Sequence, residues 1–109
     1  MEMTPRWPTM FGSGKFEING LIDHIFANYN LSNLASEVDG NILEDNSEVM
    51  QKFKNEVYSC FEAYLLETIG KRISDYHGYE MKGWITGHGK DYSMTIHNHK
   101  GAHLSGVFY

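Results

Sequence analysis

The chain has 109 residues, of which 41% are hydrophobic, 14% aromatic and 21% charged, and its net charge is −5 with histidine neutral. That length fits one domain, 1–109, with a real core, and the composition excludes a disordered or collagen-like chain. Nine Lys and Arg against fourteen Asp and Glu, with no basic cluster longer than Lys71-Arg72, argue against a bulk nucleic-acid binder.

No apolar run approaches the ~18 residues of a membrane span. The opening residues lack the basic-then-apolar layout of a secretory signal. Cys60 is the single cysteine and has no internal partner, which fits a reducing cytoplasm.

In chain order, Pro5, Pro8, Gly12 and Gly14 mark the first stretch as extended or turning chain. Residues 15–18 read as a short strand. Ile18, Leu21, Ile22, Ile25, Phe26 and Tyr29 then follow the i, i+3, i+4, i+7 rule, which predicts a helix over 20–28 with Asn19 as its N-cap. Residues 31–46 are rich in Ser, Asn, Asp and Gly and read as mostly loop. The strongest helix starts at about 46 or 47 and runs to 69. Asp45 and Glu48 fit a capping box at its start, and Gly70 sits where a left-handed C-cap belongs. Its stripe (Val49, Met50, Phe53, Val57, Cys60, Phe61, Tyr64, Leu65, Ile69) is broad enough to predict packing against a sheet, with the Cys60 thiol buried and inert.

The texture changes after Ser74. Residues 79–85 hold aromatics and β-formers, 87–91 form a turn, and 92–99 alternate, with Tyr92, Met94 and Ile96 on one face and Ser93, Thr95, His97 and His99 on the other. A second turn at 100–102 leads to strand-like residues 104–109. A helical layer at about 19–70 followed by strands at about 79–109 predicts an α+β fold with an antiparallel meander or roll.

The chemistry-bearing feature is His97-Asn98-His99. On a strand, i and i+2 share a side with Cα atoms about 6–7 Å apart, so two imidazoles can converge on one cation. Neutral imidazole is a common ligand of borderline first-row metals. His pairs also occur on solvated strand faces, and the spacing leaves both readings open. His103 is either a third ligand or a solvated turn residue. His88 reads as a solvated turn residue, and His24 and His77 are given no ligand role.

The stretch Trp84-Ile-Thr, then 92–99, then Lys100-Gly-Ala-His-Leu-Ser-Gly-Val-Phe-Tyr109, resembles the 2-oxoglutarate/Fe(II)-dependent oxygenases of marine phages and bacteria, which carry a W…HxHxxxxxSGVYY-like motif. The opening Trp7-Pro8-Thr9-Met10-Phe11 is similar to their N-terminal segment. The resemblance implies N-terminal helices packed on an incomplete antiparallel double-stranded β-helix of the jelly-roll or cupin-like type. It implies that His97 and His99 are Fe(II) ligands, with an imidazole where more distant relatives place a carboxylate. It implies that Tyr109 lies near the cosubstrate 2-oxoglutarate, that Trp84 is a wall or core residue, and that Ser105-Gly106 sets strand geometry. The primary substrate is left open.

Members of that family carry a distal His and a carboxylate-clamping Arg or Lys on later strands, for which this chain has no candidates. The apolar run 104–109 breaks off mid-strand. The expectation is therefore an N-terminal portion of such an oxygenase, inactive alone, in a cytoplasm (a host's, if phage-encoded). Its open strand edge would favour self-association. Two alternatives stand beside it. One is a cupin-like site of His97, His99 and His103, weakened by Asp91 where a glycine is expected. The other is a non-enzymatic α+β protein with a merely polar sheet face.

Overall fold

The computed structural model describes residues 10–29, 41–85 and 101–109. Two helices organise them: α1, Leu21–Asn28, and α2, Glu48–Ile69. Short 3-10 turns lie at Ile42–Glu44 and Ile73–Asp75. Among the described residues no helix is long and apolar enough to cross a membrane.

Helix α2 spans 22 residues, about 33 Å at 1.5 Å per residue. Its N-cap is Ser47, whose Oγ accepts from the Met50 amide at 3.4 Å. The box expected from Asp45 and Glu48 is not formed, because Asp45 Oδ1 takes the Ser47 amide at 2.8 Å one step earlier. The other end closes as expected on Gly70, which turns left-handed at φ 67° and donates to the Leu66 carbonyl at 3.2 Å. Helix α1 begins one residue later than expected: Gly20, with φ 82°, stands at its N-cap in place of Asn19.

The core lies where the two helices meet the first 3-10 turn. Leu21, Ile42, Leu43 and Met50 are buried, and Ile18, Ile25, Tyr29, Val49, Phe53, Met81 and Ile85 pack around them. Four of the six apolar residues that define α1 thus reach the core, while Ile22 and Phe26 face out. On α2 the inward face is its N-terminal half. Val57, Phe61, Tyr64 and Leu65 are half-buried and Ile69 is exposed. Cys60 is exposed, not buried as its place on the stripe suggested.

The expected sheet is not found. The described residues form no strand, so they contain no part of a β-roll or double-stranded β-helix, and 15–18, 79–85 and 104–109 are irregular. The destination of their backbone hydrogen bonds explains the difference. Near residues 81–83 the polar groups go to Asn41 and the 3-10 turn: Asn41 Oδ1 accepts from the Gly83 amide at 2.9 Å, Asn41 Nδ2 donates to the Met81 carbonyl at 2.9 Å, and the Ile42 amide donates to the Gly83 carbonyl at 2.9 Å. A side chain and one amide cannot propagate a ladder as a neighbouring strand does. Gly83 also allows a close approach, since a Cβ there would stand 3.1 Å from Leu43 Cγ.

Residues 104–109 are held by rings. Phe108 stacks on Phe16 at 5.0 Å and meets Phe53 of α2 edge-on at 5.2 Å. Such pairs add about 0.5–1.5 kcal/mol beyond burial and need no register. The strand expected over 92–99 lies outside the described residues.

Candidate functional site

The densest polar cluster of the described residues centres on Asp45, between α1 and the start of α2. Asp45 Oδ2 accepts from His24 Nε2 at 2.9 Å and from the Tyr29 hydroxyl at 2.9 Å, while Oδ1 holds the Ser47 amide. Gln51 Nε2 donates to the Asp45 carbonyl at 2.9 Å. His24 and Tyr29 come from α1 and its end, Ser47 and Gln51 from the start of α2. The carboxylate therefore clasps two helices through a loop residue.

Geometry fixes the roles within the clasp. Asn28 Nδ2 donates to the His24 carbonyl at 2.9 Å, which orients the amide, and the same NH₂ reaches His24 Nδ1 at 3.2 Å. Nδ1 of the neutral ring is then the acceptor and Nε2 carries the proton given to Asp45. The Asp45 carboxyl is held well below the usual carboxylate range, first by the His24 bond and then by the Ser47 amide, with burial opposing and Tyr29 adding a smaller share. The Tyr29 phenol is pushed up to about 12, by burial first and then by its bond to Asp45 and that residue's charge.

His24, Asp45 and Ser47 share residue types with a hydrolytic triad but not its arrangement. In such a triad the carboxylate and the hydroxyl sit on opposite ring nitrogens. Here Ser47 Oγ meets the same Nε2, at 3.2 Å, and also caps the Met50 amide. With that nitrogen's proton directed at Asp45, the imidazole has no lone pair facing Ser47, and the hydroxyl is not activated. The cluster joins helices. Sequence reading missed it by giving His24 no role; the available signal was the i, i+4 pair His24 and Asn28 on α1, facing a loop acid.

His97 and His99, with Ser93, Thr95 and His88, lie outside the described residues. His103 is exposed, and among the described residues no group of three or more His, Cys, Asp or Glu could hold a metal ion. Trp84 is 42% exposed, not the core or wall residue expected. Tyr109 is fully exposed and borders a shallow depression with Phe16, Glu17, Asp23 and Phe108.

No known protein family matches the chain, nor does any curated protein or any solved structure.

Proposed function

We propose that the chain is a non-haem iron protein of the 2-oxoglutarate-dependent oxygenase type, with His97 and His99 as two of its metal ligands. The observation that carries this reading is the sequence run 84–109, in which an H-x-H pair stands between Trp84 and the closing Ser-Gly-Val-Phe-Tyr. Further support is that both flanks of 86–100 are tied to the helical layer. Asn41 and Ile42 grip residues 81–83, and Phe108 is set between Phe16 and Phe53.

Bound Fe(II) and 2-oxoglutarate would supply oxygen activation and hydrogen abstraction, chemistry the side chains lack. Two neutral imidazoles suit Fe(II) but offset none of its charge. A third donor and a cationic clamp for the cosubstrate would come from outside the described residues.

Titration with Mn(II) or anaerobic Fe(II) tests the reading. His97→Ala and His99→Ala should each weaken binding by roughly 10–100-fold, the scale on which metal sites respond to lost support. His103→Ala should leave affinity unchanged. Equal affinity in wild type and His97→Ala would sink the ligand assignment, and a comparable loss in His103→Ala would favour the three-histidine alternative.

A further inference from the structure

An asparagine side chain can be attacked by its own backbone. The nucleophile is the amide nitrogen of the next residue, so the reaction needs that N–H free and its residue small. The described asparagines differ in this respect. After Asn28 the Tyr29 amide donates to the Ile25 carbonyl at 2.9 Å, and after Asn41 the Ile42 amide donates to the Gly83 carbonyl at 2.9 Å. After Asn46 the Ser47 amide is held by Asp45 Oδ1 at 2.8 Å. After Asn55 the Glu56 amide lies within the hydrogen-bonded ladder of α2.

Asn19 is the exception. Gly20 stands at the N-cap of α1, ahead of the helical ladder, and its carbonyl accepts from the His24 amide at 2.9 Å. Among the described residues the Gly20 N–H has no hydrogen-bond partner, nor has the Asn19 side chain. Both residues are exposed, and Gly20 has no Cβ to obstruct ring closure. Its φ of 82° and ψ of 1° are those of the third residue of a type II turn, which the Leu21 amide closes onto the Ile18 carbonyl at 3.2 Å. Ring closure requires rotation about the Cα–C bond of Asn19, and the bond that resists it is at the long end of the usual range.

We propose that Asn19-Gly20 is a site of spontaneous deamidation that ages the chain at the entry to α1. Gly20 N gives up its proton to solvent and bonds to Asn19 Cγ. The Cγ–Nδ2 bond breaks, and the nitrogen takes a proton and leaves as ammonia. Water then opens the cyclic imide. Opening at Cγ gives aspartate; opening at the main-chain carbonyl gives isoaspartate, with the chain running through Cβ and Cγ. The sum is amide plus water to carboxylate plus ammonium, with no oxidant or reductant. Isoaspartate lengthens the main chain between Ile18 and Leu21, which both belong to the core, so the turn no longer seats α1.

The test is to age the full chain at mildly alkaline pH and map it by peptide mass spectrometry, counting isoaspartate with a methyltransferase specific for it. Asn19 should convert at least about tenfold faster than Asn28, Asn41, Asn46 or Asn55, whose attacking amides must first be freed by local opening. Urea separates this guarding from the effect of glycine itself: it should speed the other sites and change Asn19 least. Aged wild type should lose hydrogen-exchange protection at the His24 and Ile25 amides, while Asn19→Gln, aged alongside, keeps it. Conversion spread evenly over the sites, equal acceleration of all of them in urea, a product that accepts no methyl group, or unchanged exchange in α1 of the aged wild type would each overturn the proposal.

Discussion

At the scale of single residues, Asp45 does most to define the described structure, because one carboxylate takes three hydrogen bonds from three neighbours. Its folded-state acidity sets a pH signature. The carboxyl is held below its ordinary value of about 4, so its contribution is complete above that value and drains away as pH falls through the lower, folded one. Asp45→Asn keeps the shape and removes the charge. It should cost about 1–2 kcal/mol at neutral pH, and the gap to wild type should narrow as pH falls from about 5 toward 2. Urea melts of both proteins across that range check it. Little of this was legible in sequence. His24, Tyr29, Asp45 and Ser47 are separated by up to 23 positions, and only the fold brings them together.

At the scale of elements, the helices were legible because their signals are local. The apolar stripe of α2 and the glycine after Ile69 are read within a few residues of one another. Gly70→Ala tests the C-cap on its own. A Cβ there meets nothing within 4 Å, so the cost is that of a left-handed backbone, about 1–2 kcal/mol. A thermal melt followed by helical dichroism should register it. The N-cap was misassigned by two residues because Asp45 and Ser47 are both good caps. What decides between them is the demand His24 and Tyr29 place on the aspartate. The buried turn Ile42–Glu44 escaped notice because two apolar residues in a polar stretch are too short to show a period.

At the scale of the whole molecule, the strands expected at 79–85 and 104–109 did not form, for a general reason. Aromatics and β-formers in 79–85, or an apolar run in 104–109, report which side chains prefer burial, not which group takes the backbone hydrogen bonds. Asn41 and the phenylalanine trio supply other solutions. Asn41→Ala should therefore loosen the later chain from the helical layer. It deletes the bonds to Met81, Gly83 and Leu43, at about 1–3 kcal/mol. In hydrogen exchange the Gly83 amide should lose protection while the middle of α2 keeps its own; equal exchange at Gly83 in both proteins would contradict the clamp. The H-x-H pair, the clearest chemical signal in the sequence, lies outside the described residues.

Met50 has a consequence of a different kind. Its side chain is wholly enclosed, at 0% exposure, while Met10 is 57% exposed. A thioether oxidised by peroxide must first be reached by it. Sulfoxide at Met10 would accumulate at the reagent's own pace, whereas sulfoxide at Met50 would wait for the core to open. The two sulfurs thus make a stopwatch and its reference within one chain, and their relative oxidation, read by mass spectrometry, times the breathing of the core without any added label.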